Sequence, residues 1–127
     1  MSIDHTDLVA LSEEMCAGAG EPHWRGAISR AYYGAYHGCQ DWHSKLPAPG
    51  SANGPGGGVH QQFINQLQNP APELKNLEVR LLSKKLSAFL NLMKIQRHRA
   101  DYALGETIDA ALAANMTARA KQIISLV

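Results

Sequence analysis

No stretch of the 127-residue chain approaches the ~18 consecutive apolar residues of a membrane span, and no segment of useful length alternates apolar and polar residues as a half-buried strand does. Cysteine occurs only at Cys16 and Cys39, without a Cys-x-x-Cys pair, so neither a disulfide framework nor a thiolate zinc site is expected. Both thiols read as reduced and helix-borne. Aromatic residues make up 6% of the chain, too few for the inner face of a sandwich or barrel, while alanine and leucine favour helix. Lys and Arg are absent from residues 1–21, where a secretory leader would be basic, and five acids stand there instead. The expectation is a cytoplasmic protein without a membrane segment.

With 45% apolar and 18% charged residues, the chain suits one globular domain over 1–127, large enough to bury a core of its own. Its net charge of +1 excludes a uniformly basic nucleic-acid binder, but the charge is unevenly spread. Between Lys75 and Arg99 lie seven cations and one acid, Glu78. Such a stripe meets phosphates, forms the solvated flank of a long helix, or pairs with the acidic first helix.

Helical periodicity divides the chain. Leu8, Leu11 and Met15 predict a first helix over 4–17, capped by Asp4 or Thr6 and ended at Gly18 and Gly20. Pro22 suits the first turn of a second helix over 22–44, with Trp24, Ile28, Ala31, Ala35 and Trp42 as its stripe. Residues 45–58 carry three prolines and five glycines and predict a flexible loop; the Gly-Lys-Ser/Thr ending of a phosphate-binding P-loop is missing. A short helix over 59–68 follows. The longest helix is expected from near Glu73 to Tyr102, with Leu74, Leu77, Leu81, Leu82, Leu86, Phe89, Leu90 and Met93 as its apolar positions. A final helix, capped by Thr107, should bury Ile108, Ala111, Ile123 and Ile124. The fold expected is all-α, an up-and-down bundle of four or five helices with one long Gly/Pro-rich loop.

Two polar positions interrupt the apolar seams. Following the long helix from Leu82 through Leu86, Phe89 and Met93 leads to Arg97, and a seam arginine needs a carboxylate or a functional reason. Asp101, four residues on, is within reach. On the second helix Arg30, Tyr33 and His37 share a face, but Arg30 and His37 lie about 10.5 Å apart along the axis, so a joint role needs a bridge from Tyr33, Asp101 or a phosphate. Ala31, Gly34, Ala35 and Gly38 let a neighbouring helix approach closely. His23, His37, His43 and His98 contain no pair at i, i+4, so no metal or other cofactor is expected, and no Gly-x-Ser-x-Gly setting supports a hydrolase triad.

The run Ile28-Ser29-Arg30-Ala31-Tyr32-Tyr33-Gly34-Ala35-Tyr36-His37, with Arg97-His98-Arg99-Ala100-Asp101-Tyr102 on a later helix, resembles the HEPN family. The resemblance covers residues 22–44 and about 75–126. It implies a small, often dimeric helical bundle from toxin–antitoxin or defence modules, encoded beside a nucleotidyltransferase-type antitoxin, and in many members a metal-independent ribonuclease. Active members carry an arginine near the end of the long helix, four to six intervening residues, and then a histidine. Here the positions so spaced from Arg97 are Tyr102, Ala103 and Leu104, and those from Arg99 are Leu104, Gly105 and Glu106; Arg30 and His37 have the spacing, but on the earlier helix.

Three readings follow. In the first, His37 is the general base of an endoribonuclease, with Arg30 and Arg97 as phosphate clamps. In the second, Arg30, Arg97 and Arg99 hold phosphate and Tyr33 or Tyr102 stacks on a base, binding RNA or a nucleotide without cutting it. In the third, Arg30, His37, Arg97 and Asp101 form a structural polar network, and the chain acts by pairing with itself or a partner.

Overall fold

A computed structural model of the chain describes residues 2–127. Among these, five helices and no strand form an all-α bundle: α1 (His5–Cys16), α2 (Glu21–Ser44), α3 (Val59–Gln68), α4 (Leu77–Tyr102) and α5 (Ala110–Leu126). No helix among the described residues is long and apolar enough to cross a membrane.

α2 is the hub, packing on α1, α4 and α5, while α3 lies against α4. Its small residues explain the closeness. A Cβ on Gly34 would stand 2.6 Å from a Val9 methyl and 3.2 Å from the His5 carbonyl, so α1 can approach only a helix bare at that point. Ala27, Ala31 and Ala35 are buried beside it, and Ile28, Tyr32, Leu86, Leu90, Met93 and Ile123 fill the remaining core. The buried Ser12 hydroxyl donates to the Ala27 carbonyl at 2.7 Å and meets the Thr117 hydroxyl at 2.8 Å, tying α1 to α2 and α5 without stranding a polar atom.

Most helix ends lie where local chemistry places them. Asp4 caps α1 by accepting from the Thr6 and Asp7 backbones, and Asp7 bonds back to the cap; hydrogen bonds, first of all from the Thr6 hydroxyl, hold the Asp4 carboxyl below its ordinary value. Two boundaries differ from expectation. α4 begins at Leu77 rather than near Glu73, because Asn76 accepts from the Glu78 and Val79 N–H groups, and Leu77 and Leu81 face solvent. α5 is capped by Asp109, not Thr107, since the Leu112 N–H reaches its carboxylate at 2.8 Å. Ile108 is buried just before the cap, whereas Ala111 is exposed and Ile124 only half-buried.

The Gly/Pro-rich segment is anchored at several points. Gly50 is buried, and its N–H donates to His43 Nε2 at 3.2 Å. The Ser51 N–H reaches the Asn69 carbonyl at 2.9 Å, Asn69 Nδ2 the Asn53 carbonyl at 2.8 Å, and Asn65 Nδ2 the Pro55 carbonyl at 3.2 Å. The side chains of α3 thus satisfy backbone groups that composition alone leaves to water. Burial holds the His43 imidazole below its ordinary value of 6.5, and the Gly50 contact needs its lone pair. With the folded value depressed, the unfolded chain binds more protons just below pH 6.5, so stability present above that pH is lost as pH falls through the folded value. Thermal melts between about pH 7 and pH 5 should show this decline, shallower in His43→Gln; equal slopes would remove His43 from the account.

Candidate functional site

The long-helix seam arginine ends in a cluster of rings where α2, α3 and α4 meet. Arg97 Nη2 donates to the Tyr33 hydroxyl at 2.7 Å, and its guanidinium carbon lies 5.1, 5.7 and 5.9 Å from the ring centres of Tyr33, Tyr32 and Tyr102. Arg97 Nε faces Asp101 Oδ2 at 3.6 Å, the expected i, i+4 pair, yet makes no hydrogen bond. The Ser29 hydroxyl donates to the same carboxylate oxygen at 3.4 Å. The side chain is 15% exposed, so it is held mainly by rings and one carboxylate.

Tyr33 is the bridge. Its hydroxyl meets Arg97, and its ring lies parallel to that of His37 at 6.4 Å. Arg30 stands apart, half-buried, with no hydrogen bond or ion pair among the described residues. Asp101 meets α2 at Ser29, and the next residue along a helix points 100° away, so the structural network expected of Arg30 and Asp101 does not include Arg30. His37 is exposed and also lines a cleft with Asp4, His5, Leu8 and Asp41, two of them carboxylates.

His60 is the residue that periodicity passes over. On the first turn of α3, its Nδ1 lies 2.7 Å from the hydroxyl of Tyr32, a fully buried ring, and its imidazole stacks on Tyr36 at 4.2 Å and lies edge-on to Tyr33 at 5.8 Å. Burial is the main cause that holds His60 below its ordinary value, with the charges of Arg97, Lys94 and His37 acting the same way. Burial pushes the Tyr32 phenol far up, so it is a neutral hydroxyl. No sequence signal joins His60 to Tyr32, 28 residues earlier, because a glycine-rich loop of no fixed direction lies between.

The remaining cations divide. Arg99 binds Gln96 Oε1 at 2.6 Å and faces Glu106 at 3.5 Å, which leaves it at the rim of the cluster. Arg80 donates to the Ala71 and Leu74 carbonyls, so part of the basic stripe is spent on its own chain. Among the described residues no ion pair joins α1 to the stripe, and Glu13 of α1 pairs with Lys121 of α5. Tyr102 is 65% exposed, next to His98, and is the most exposed tyrosine of the cluster.

Arg25 is a second functional position outside the expected set. Its guanidinium donates to the carbonyls of Arg99, Ala100, Ala103 and Glu106, closing the end of α4, and pairs with Glu21 at 3.5 Å. Glu21 accepts in turn from the Ile108 N–H. This clamp positions the turn of α4 that carries Arg97, Asp101 and Tyr102.

Comparison with protein-family models, with curated proteins and with solved structures finds no match to this chain.

Proposed function

We propose that this chain is a HEPN-like protein of the toxin–antitoxin or defence type that acts on RNA, with its site at the α2–α3–α4 cluster. The observation that carries the reading is the linkage of His37, Tyr33 and Arg97 across two helices, because one ring then stands between an exposed imidazole and a fixed guanidinium. Its support is the resemblance of the Ser-Arg-x-Tyr-Tyr-x-x-x-His and Arg-x-x-Ala-Asp-Tyr blocks to that family, and these are the blocks that meet here.

The chemistry that fits is metal-independent transesterification. The ribose 2′-hydroxyl gives its proton to the His37 imidazole and attacks the adjacent phosphorus. The bond from phosphorus to the 5′-oxygen breaks, leaving a 2′,3′-cyclic phosphate, and the departing oxygen takes a proton from water. Arg97 offsets charge on the phosphoryl oxygens, and Tyr102 offers a face to a neighbouring base. A homodimer and a nucleotidyltransferase-type antitoxin partner belong to the same proposal through the family resemblance.

Incubation of the purified chain with cellular RNA in the presence of a chelator tests the reading. Cleavage should fall by about 10²- to 10⁴-fold in His37→Ala while circular dichroism stays unchanged. Undiminished cleavage by that variant removes His37 from catalysis.

A second reading is favoured by the burial of Arg97, whose Nη2 is committed to Tyr33 and whose Nε faces Asp101. On it, the chain binds RNA or a nucleotide without cutting, and intact RNA with salt-sensitive binding is the expected pattern.

A further inference from the structure

We infer that His60 and Lys94, with Arg97, form the phosphate-receiving subsite of this cluster, His60 donating a hydrogen bond through Nε2 to a phosphoryl oxygen. The inference rests on the RNA-directed reading for its ligand class, a phosphodiester, and it adds two residues on which that reading did not depend.

Tyr32 sets the direction of His60. The phenol is fully buried, and His60 Nδ1 is its only hydrogen-bond partner among the described residues. A buried hydroxyl that must place its proton donates it to that nitrogen, since the opposite arrangement leaves the phenol proton unpaired. The imidazole proton then sits on Nε2, which makes no hydrogen bond among the described residues and is not sealed from solvent. His60 is therefore a donor aimed away from Tyr32, and its depressed titration keeps it in this neutral form near pH 7.

The surroundings want an anion. Tyr32, Tyr33, Tyr36 and His37 face His60 from α2, and Lys94 and Arg97 act on it from α4; no carboxylate contributes to its titration. Among the described residues Lys94 has a neutral partner only, Gln61 Oε1 at 2.9 Å, and Asp101 lies at the Nε edge of Arg97. Lys94 also lines a cleft of about 560 Å³ with Gly56, Gly57, Gly58, Gln61 and Asn91. Two cations beside a neutral donor, with Asp101 as the one carboxylate paired to either, leave an excess of positive charge that a phosphate offsets.

Nitrogen-15 imidazole spectra of the full chain, recorded with inorganic phosphate as the probe, test this. The expected result is a His60 proton on Nε2, a His60 signal that moves with phosphate and titrates at higher pH when phosphate is bound, and an affinity about tenfold weaker in Lys94→Gln. Tyr32→Phe should release the fixed tautomer into a mixture. A proton on Nδ1, or equal phosphate affinity in Lys94→Gln, overturns the subsite. Anisotropy with a single-stranded RNA oligonucleotide separates the two claims. RNA binding that survives both His60→Ala and Lys94→Gln overturns the subsite and leaves the RNA reading standing. A phosphate response without any RNA binding by the parent chain overturns the RNA reading and leaves an anion site.

Discussion

Arg25→Ala is expected to cost about 3 kcal/mol and lower the melting temperature by roughly 10 °C. The last carbonyls of a helix are short of partners within it, and here one guanidinium serves those of Ala100 and Glu106 and adds a second bond to those of Arg99 and Ala103, which also accept from backbone N–H groups. Its side chain is 11% exposed, so water does not replace it fully, and Glu21 loses its cation at the same time. Lysine should recover little, because one ammonium on a flexible stem cannot span four carbonyls that a planar fork reaches together. Calorimetry or urea unfolding reads the effect; a loss under about 0.5 kcal/mol would mean that the clamp is ornamental. On the proposed function, RNA binding should weaken as well, since the freed turn carries Tyr102, Asp101 and Arg97.

Gly50→Ala is the second large effect, at about 2 kcal/mol, with residues 51–58 opened to protease. A Cβ at this position would stand 1.9 Å from the Gln66 carbonyl oxygen and 2.8 Å from that of Asn69. Both are backbone atoms at the end of α3, so neither can turn aside as a flexible side chain would. The segment must lift, and it takes with it the bonds from His43 to Gly50 and from Asn69 to Ser51 and Asn53. Gly57→Ala is the control, because nothing lies within 4 Å of its would-be Cβ. Limited proteolysis and melting of the pair decide the matter: equal behaviour of the two variants would show that the segment is not held at Gly50.

The two variants also separate structure from chemistry. Arg25 acts on the position of Arg97 from the far end of α2, and Gly50 acts on α3, which carries His60. On the proposed function, each should alter RNA binding through the placement of one wall of the cluster. Neither residue bonds to His37, the general base of the proposed reaction, so on that reading residual cleavage should keep the parent pH profile in shape and fall only in height.

Local rules run along the chain and were legible there. The all-helical class followed from the 3.6-residue spacing of Leu8, Ile28, Leu86 and Met93 with their neighbours, and the Asp4 cap and the Arg97–Asp101 pair followed from positions two to four residues apart. The small face of α2 was legible too, since Gly34 and Ala35 carry no bulk whatever they meet. Periodicity says which face is apolar, however, and not which partner covers it. Leu77 and Leu81 continue the stripe of α4 and yet lie in water, because α3 covers the helix only beyond them.

Contacts between distant elements came from packing alone. Arg25 finds its carbonyls 74 to 81 residues away, and His60 finds Tyr32 across a loop whose course is set by Asn65 and Asn69 rather than by its own glycines. Arg30 and His37 share a face of one helix, but only His37 sits against the ring that reaches Arg97. Helical geometry fixes azimuth within an element to a few tens of degrees. It carries no term for the distance between elements, which the volumes of buried side chains and the satisfaction of buried polar atoms set together.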